Sequence, residues 1–383
     1  MVWHWFIFSI LLIMTFIEQF GHISKKNCER FCAFMSIVFI FISSIRWNQT
    51  IGDWEGYYSI YCWFEPKEFL DIFRIDYWPF EPIYYLTTRF ICYFLNDYMY
   101  VQVFMASVTI GCFYQSAKYI NRKIEIYGKE FGIEKSIIIA SFLMWWATSC
   151  ASIYTVRTNA AASICLYSLR FIERRDLKRF LFTILIALGF HFTSLIFIPA
   201  YFLYSKKINI KTLIMSIIGV IFIKIVGLNR IISLVGLLGG RYARKVATYN
   251  VELGTTNLSY MNYSTWFLIV KALSNTILVV ALGLLIIKYM KRNKRIKGIN
   301  NLYLIGAFLQ ALTINYNFNF ARVAVFYINQ QFFILPNIFN LPKAKNITRV
   351  IFFAIFTFYT TLKMYSLLNS QEGYHVFTTI FSR

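Results

Sequence analysis

The stretch FCAFMSIVFIFISSIRWNQTIGDWEGYY, residues 31–58, decides the fold class. Its first half is apolar enough to lie in lipid, whereas its second half gathers an arginine, an aspartate, a glutamate and four aromatic residues. Comparable apolar runs recur along the chain of 383 residues, of which 58% are hydrophobic. Because repeated runs of this kind are typical of helices that cross a membrane, the sequence predicts an all-α polytopic membrane protein, with one integral membrane domain over residues 1–383.

Basic residues separate the apolar runs from one another. The formal net charge is +22, and most lysines and arginines lie in short segments between apolar runs. We place the six most basic segments in the cytoplasm, since lysine and arginine accumulate in the cytoplasmic loops of membrane proteins. Because the charge is spread over these connectors and forms no basic domain, nucleic acid is not expected as a partner. The six connectors are 22–30, 121–135, 173–179, 205–211, 288–297 and 341–349.

This topology predicts about twelve membrane helices and two long outer loops, 46–97 and 229–263. The segment 180–204 has a cytoplasmic connector at each end, so we expect it to enter the membrane and return as a short hairpin that turns at Gly189 and His191. Within the first outer loop, 66–78 is expected to be an amphipathic interfacial helix and 81–96 a short helix that begins at a proline. The N-terminal apolar run is expected to be a retained helix, not a cleaved signal peptide. The other expected spans are 3–20, 31–45, 98–119, 136–154, 158–172, 212–228, 264–287, 300–316, 322–338 and 350–368.

The two faces of this topology use different basic residues. The cytoplasmic connectors and their edges carry sixteen lysines and eight arginines, whereas the outer face carries eight arginines and only two lysines. Membrane topology depends on charge alone, but a site that binds phosphate favours arginine, whose planar guanidinium matches two oxygens at once. The arginine bias therefore predicts an anion site on the outer face. Its candidate residues are Arg46, Arg157, Arg241, Arg244 and Arg322.

Carboxylates, a histidine and aromatic residues supply further candidates at the outer level. Asp53 and Glu81 each begin a short aromatic-rich stretch near the membrane surface, where a partly desolvated carboxylate suits a general base. His191 is an ionisable residue at membrane depth, which is a functional hypothesis by default. Aromatic faces stack on sugar rings and amides bond hydroxyls, so a glycan site is expected as well. Its candidates are Trp54, Tyr57, Tyr58, Asn317 and Asn319. The sequence lacks the usual metal-ligand and nucleotide-binding motifs, so no metal or cofactor is expected.

Four stretches resemble the EpsG family, the Wzy-like polymerases of bacterial surface polysaccharides. RWNQTIGDWEGYYSIY (46–61) is similar to the R-x-G-T-D-Y-x-x-Y stretch after the second helix of that family, although the usual G-T-D is here Ile51-Gly52-Asp53, with Thr50 displaced. EPIYYL (81–86) resembles the next acidic-aromatic element. TVRTNAAASICLYSLRFIERRDLKRFLFTILIALGFHFTSLIFIP (155–199) resembles the arginine helix, basic loop and histidine hairpin, and ARVAVFYINQQFFILP (321–336) resembles the late arginine helix.

The resemblance implies an inverting, metal-independent glycosyltransferase that joins oligosaccharide repeat units carried on undecaprenyl diphosphate. It implies a multi-pass protein of the bacterial cytoplasmic membrane, with its active site on the outer face. The implied partners are the lipid-linked oligosaccharide, membrane lipid and a chain-length regulator protein. On this basis the outer arginines bind the diphosphate, and the base is Asp53 first, with Glu81 or His191 as alternatives.

Three other functions compete with polymerisation. A flippase or exporter of the same lipid-linked glycan also needs arginines, but along a cavity that reaches both leaflets, and the long loop 46–97 disfavours it. A membrane acyltransferase places its histidine toward the cytoplasm, whereas the topology places His191 outside. An O-antigen ligase differs mainly in its acceptor, and the sequence leaves that alternative open.

Overall fold

The structure is a computed structural model. It describes residues 2–44, 57–59, 61–62, 68–73, 81–131, 135–149, 156–206, 218, 294–313, 318–340 and 346–368. Within them, only the backbone is described for residues 2, 123–131, 294–295, 311–313, 318–322 and 346. The described residues form helices and turns and contain no strand, which confirms the all-α class.

Helices of four or more residues recur along the described parts of the chain. They are α1 (Val2–Phe20), α2 (Lys25–Ser44), α3 (Pro82–Leu95), α4 (Tyr98–Phe131), α5 (Ile138–Ser149), α6 (Val156–Glu173), α7 (Leu177–Phe190), α8 (Ala200–Leu203), α9 (Lys294–Thr313), α10 (Phe318–Ile328), α11 (Gln331–Ile334) and α12 (Asn346–Leu368). Short 3₁₀ segments cover Phe69–Phe73, Phe192–Phe197 and Leu335–Asn340. The segment Phe69–Phe73 lies within the interfacial helix expected at 66–78, and α3 begins at Pro82 as its proline predicted.

Three described helices are long and apolar enough to cross a membrane: Trp3–Phe20, Lys25–Ser44 and Ile347–Leu368. Large apolar side chains are exposed on all three, including Trp3 at 73%, Phe34 at 61% and Phe358 at 67%. Such an apolar perimeter suits contact with lipid more than contact with water. The prediction of about twelve membrane helices stays a prediction, since 212–228 and 264–287 lie outside the described residues except for Ile218.

The chain divides into two compact units, Met1–Tyr201 with Gln331–Arg383, and Phe202–Gln330. In the first unit α1 and α5 run antiparallel, because the His4 ring stacks on Trp146 at 5.5 Å near one end and Gln19 Nε2 donates to the Ser136 carbonyl at 2.9 Å near the other. Asn121 on α4 accepts the N–H of Ile137 beside Ser136, and Tyr119 Oη donates to Glu173 Oε2 at 2.9 Å, so α4 and α6 reach the same end as Gln19. We call this the Glu18 end, and the opposite end of the first unit the Arg157 end.

A buried carboxylate joins three helices at the Glu18 end. Glu18 accepts the backbone N–H groups of Ile139 at 3.0 Å and Ala140 at 3.1 Å, in the first turn of α5. It also accepts the Ser136 hydroxyl at 2.7 Å, and Asn121 on α4 accepts the N–H of Ile137 at 2.9 Å. The first N–H groups of a helix have no partner within the helix. Side chains from α1 and α4 therefore satisfy the start of α5 and fix it against both helices.

The centre of the first unit is aromatic. Phe39 on α2 stacks on Trp146 with ring centroids 4.5 Å apart, and Phe113 on α4 stacks on Trp145 at 5.4 Å. Phe113 also stacks on Phe333 of α11 at 6.2 Å. Stacked aromatic pairs add about 0.5–1.5 kcal/mol each beyond the burial of their area. These rings hold α2, α4, α5 and α11 around one core.

The chain reverses at His191, as the sequence predicted. α7 ends at Phe190, His191 is extended with φ −157° and ψ 125°, and the 3₁₀ segment follows. The returning chain brings the Tyr201 ring to 5.3 Å from the Phe180 ring, near the start of α7. A Cβ at Gly189 would lie 2.3 Å from Ile83 Cδ1 on α3. Only glycine therefore lets α3 approach the end of α7 so closely.

In the second unit, α9 and α10 pack closely. A Cβ at Gly306 would lie 2.6 Å from the backbone nitrogen of Ile328, so a glycine is needed at this contact. Asn301 Nδ2 donates to the carbonyls of Tyr204 at 3.1 Å and Lys206 at 2.7 Å.

The helix expected at 322–338 differs from the structure. It breaks into α10, α11 and a 3₁₀ segment, with a turn at residues 329–330. Proline lacks an N–H and disfavours the α conformation in the residue before it, so Pro336 accounts for the change to the 3₁₀ segment that begins at Leu335.

Candidate functional site

Arg157 is the centre of a polar cluster at the Arg157 end of the first unit. It is the second residue of α6, and its side chain is 15% exposed. Its Nε donates to Tyr57 Oη at 3.1 Å, and its Nη1 donates to Glu81 Oε2 at 2.5 Å. The guanidinium carbon lies 5.1 Å from the centroid of the Tyr57 ring and 5.5 Å from that of Tyr84. Two aromatic faces and a carboxylate thus hold one cation in a defined orientation.

Glu81 links this cation to the His191 turn. It is the N-cap residue of α3, with extended backbone, and its side chain makes no capping bond to that helix. Its Oε2 accepts from Arg157, while its Oε1 accepts the backbone N–H of Phe192 at 3.0 Å. The carboxylate is therefore directed away from α3 and toward α6 and the end of α7.

The surroundings of Glu81 and Arg157 determine whether each side chain is ionised. Burial alone raises the pKa of Glu81, but attraction to Arg157 and the hydrogen bond from Phe192 outweigh it and lower the pKa below the ordinary value. Burial opposes the charge of Arg157, yet Tyr57 and Glu81 raise the pKa of the guanidinium on balance. Both groups are therefore ionised at neutral pH. A carboxylate with a lowered pKa is a weaker proton acceptor than an ordinary one.

The geometry around His191 defines its tautomer. Its Nδ1 lies 3.3 Å from the backbone nitrogen of Thr193 and 2.6 Å from Thr193 Oγ1. A backbone N–H can only donate, so Nδ1 accepts and carries no proton. The proton of the neutral imidazole then sits on Nε2, which makes Nε2 a hydrogen-bond donor.

An aromatic layer continues beside the cluster. The Tyr58 ring stacks on Tyr61 at 6.3 Å and meets the edge of Tyr98 at 5.7 Å, at the start of α4. The Tyr57 ring lies 5.8 Å from Tyr84. Of the predicted site residues, Tyr57, Glu81 and Arg157 are thus in direct contact, His191 adjoins them through Phe192, and Tyr58 lies in the neighbouring layer.

The remaining predicted site residues are not placed in this cluster. Asn319 and Arg322 lie on α10 in the second unit, where only the backbone is described. The others lie outside the described residues: Arg46, Asp53, Trp54, Arg241, Arg244 and Asn317. Their roles stay predictions.

Sequence reasoning missed Tyr84 and the Phe192 amide. Tyr84 is buried and follows Glu81 by three residues, a spacing that places both on one face of α3, so the pattern could have revealed it. The Phe192 N–H had no signal beyond its position next to His191. Among the described residues, no group of three or more histidine, cysteine or acidic side chains is arranged to hold a metal ion.

Comparison with known proteins identifies the family. Neither a curated protein nor a solved structure matches the chain. The family model for the EpsG family matches residues 29–379, which is nearly the whole chain and includes every residue of the Arg157 cluster. This match agrees with the resemblance of the four stretches quoted from the sequence. The chain therefore belongs to the EpsG family, which is associated with a glycosyltransferase-like polymerase activity.

Proposed function

We propose that this protein polymerises a bacterial surface polysaccharide by joining oligosaccharide repeat units carried on undecaprenyl diphosphate. Family membership supports a polysaccharide polymerase. The observation that carries the lipid-diphosphate substrate is the Arg157 guanidinium, which Tyr57, Tyr84 and Glu81 hold in place beside His191.

The chemistry of the cluster suits a diphosphate that carries a sugar. A guanidinium binds two phosphate oxygens in parallel, and its contacts here orient it before the substrate arrives. Less side-chain freedom is then lost on binding, which favours affinity. The tyrosine rings beside it suit the faces of sugar rings, and the Nε2–H of His191 suits a phosphate or hydroxyl oxygen.

In the proposed reaction, a hydroxyl of one repeat unit attacks the anomeric carbon of another with inversion. The bond between that carbon and the diphosphate oxygen breaks, and its electron pair leaves with undecaprenyl diphosphate. Arg157 stabilises the charge that develops on the leaving diphosphate. Removal of a single donor of this kind costs about 10²–10³-fold in rate in well-studied sites. A protein base takes the hydroxyl proton, and no metal takes part.

The base is best assigned to Asp53. Glu81 is a poor candidate, because both its oxygens already accept hydrogen bonds. Burial raises its pKa, but Arg157 outweighs burial and the pKa is lowered on balance. His191 is a poor candidate as well, because Nδ1 accepts from Thr193 and Nε2 then carries the proton. Asp53 precedes Tyr57 by four residues in the sequence, which supports its role at the same site.

Other parts of the proposal rest on the sequence. The site faces the outside of the cytoplasmic membrane, and a chain-length regulator protein is a proposed partner. Trp54 and Tyr58 contribute to the glycan site. The remaining proposed contacts to the diphosphate are Arg46, Arg241, Arg244 and Arg322, and those to the glycan include Asn317 and Asn319.

Reconstitution tests the proposal. Purified protein in proteoliposomes is supplied with an undecaprenyl-diphosphate-linked repeat unit and a metal chelator, and the products are separated by size. A ladder of lengthening chains is expected. Movement of the lipid-linked unit across the bilayer without elongation would identify a flippase, and a single transfer to a different acceptor would identify a ligase. Either result contradicts polymerisation.

A further inference from the structure

Glu81 contacts two separate elements of the site through its two carboxylate oxygens. Oε2 bonds Arg157 Nη1 at 2.5 Å, at the start of α6, and Oε1 accepts the Phe192 N–H at 3.0 Å, just after α7. Phe192 directly follows His191, whose own Nδ1 accepts from Thr193. One side chain is thus bonded both to the cation of the site and to the turn that carries its imidazole.

The backbone of Glu81 is well supported for such a role. Pro82 follows it within the first turn of α3, and its ring restricts the backbone at the helix start. Two residues after Glu81, Ile83 packs so closely against Gly189 that a Cβ at position 189 would lie 2.3 Å from Ile83 Cδ1. The start of α3 and the end of α7 therefore meet at two neighbouring points, Ile83 with Gly189 and Glu81 with Phe192.

We propose that Glu81 is a positioning residue, whose carboxylate sets the guanidinium of Arg157 and the imidazole of His191 at a defined separation, and that it does not take the proton of the acceptor hydroxyl. This inference rests on the proposed function for its catalytic meaning. Its structural content, that Glu81 ties the His191 turn to Arg157, is independent of the substrate.

Hydrogen exchange tests the structural content. Glutamine at position 81 keeps one carbonyl acceptor, which can serve either Arg157 or Phe192, whereas Glu81→Met has a side chain of similar length with no carboxylate oxygen and breaks both links. Amide exchange in peptides that contain Phe192 is expected to rise by about tenfold in Glu81→Met, measured in lipid nanodiscs. Unchanged exchange at Phe192 would overturn the proposal, whether or not the protein polymerises.

Asp176→Ala is the matched control, because alanine removes both carboxylate acceptors. Asp176 is also an N-cap carboxylate paired with an arginine, since it accepts the Arg179 N–H at 3.0 Å and pairs with Arg179 Nε at 3.3 Å. It lies at the opposite end of α7 from His191. Its replacement is expected to raise exchange near residue 179 and to leave Phe192 unchanged. An equal rise at Phe192 in this control would contradict a specific role for Glu81.

Elongation kinetics separate positioning from proton transfer. If Glu81 acts partly through His191, the loss of elongation in the double variant Glu81→Gln, His191→Asn is smaller than the product of the two single losses, because residues that act as one unit do not contribute additively. The acidic limb of the pH–rate profile persists in Glu81→Gln, since another group is the base. Multiplied losses together with the disappearance of that limb would make Glu81 the base.

Glu81→Asp provides a second distinction. Aspartate keeps the carboxylate but is one methylene shorter, so it cannot reach both Arg157 and Phe192 from the same backbone position. A positioning role predicts that Glu81→Asp is impaired about as strongly as Glu81→Gln. A clear recovery of elongation in Glu81→Asp would contradict positioning. Absence of elongation in the wild type refutes the proposed function instead, and the exchange result still decides the structural link.

Discussion

Replacement of Arg157 by lysine keeps the charge and removes the planar guanidinium. The ammonium of lysine can retain one strong contact with Glu81, but it loses the Nε bond to Tyr57, 3.1 Å long, and the parallel donors that match two phosphate oxygens. The loss of one hydrogen bond to a charged group costs about 1.5–3 kcal/mol. At 1.36 kcal/mol for each factor of ten, kcat/KM for elongation is expected to fall by about 10- to 150-fold.

Arg89→Lys is the control for this experiment. Arg89 is also a buried arginine, its Nη1 donates to Tyr85 Oη at 2.7 Å, and its guanidinium carbon lies 5.3 Å from that ring. Both of these contacts are with Tyr85, four residues earlier on α3. The assay measures elongation of lipid-linked repeat units by purified protein at several donor concentrations, with thermal stability measured in parallel. An Arg157→Lys enzyme within about threefold of the wild type would refute the argument from guanidinium geometry.

The other predictions concern the fold, the topology and the base. Glu18→Gln should lower the free energy of unfolding by about 1–3 kcal/mol for each donor left unsatisfied, because the amide nitrogen cannot accept an N–H from the start of α5; a melting temperature equal to that of the wild type would contradict this. Cysteine labelling in intact cells should modify position 67 and not position 294, and the reverse pattern would overturn the predicted topology. Asp53→Asn should lower the elongation rate by about 10²–10⁴-fold with substrate binding and melting temperature retained, whereas a wild-type rate would exclude Asp53 as the base. The folded pKa of Glu81 is lowered, so the stability from its ion pair is present above the ordinary carboxyl pKa and is lost as the pH falls through the lowered value; acid titration of the melting temperature should show a smaller loss in Glu81→Gln.

The grouping of three predicted residues could be foreseen from the sequence, because topology brings residues to one level. The basic connectors placed Arg157, Glu81 and His191 at the same end, and the structure brings the three together. The direct bonds were not predictable, since no periodicity relates position 81 to positions 157 and 192. Such contacts depend on how closely α3 approaches α7, and that distance depends on Gly189.

Helix boundaries were less accessible, for identifiable reasons. α4 continues to Phe131, through a segment predicted as a basic connector. Lysine, arginine and glutamate have high helix propensities, so a charged segment outside the membrane can remain helical. Positive charge marks the side of a membrane and does not mark the end of a helix. Likewise α5 covers only Ile138–Ser149 of the span expected at 136–154, and its start is defined by side chains of other helices, Glu18 and Asn121.

The central claim is that the Arg157 cluster binds the diphosphate of a lipid-linked oligosaccharide. The most direct measurement is an experimental structure of the protein with undecaprenyl diphosphate bound in lipid nanodiscs. Diphosphate oxygens are expected at hydrogen-bonding distance, about 2.7–3.2 Å, from the Arg157 guanidinium, with His191 Nε2 within reach of the same group. A diphosphate bound instead at the Glu18 end, with Arg157 still closed on Glu81 and Tyr57, would contradict it.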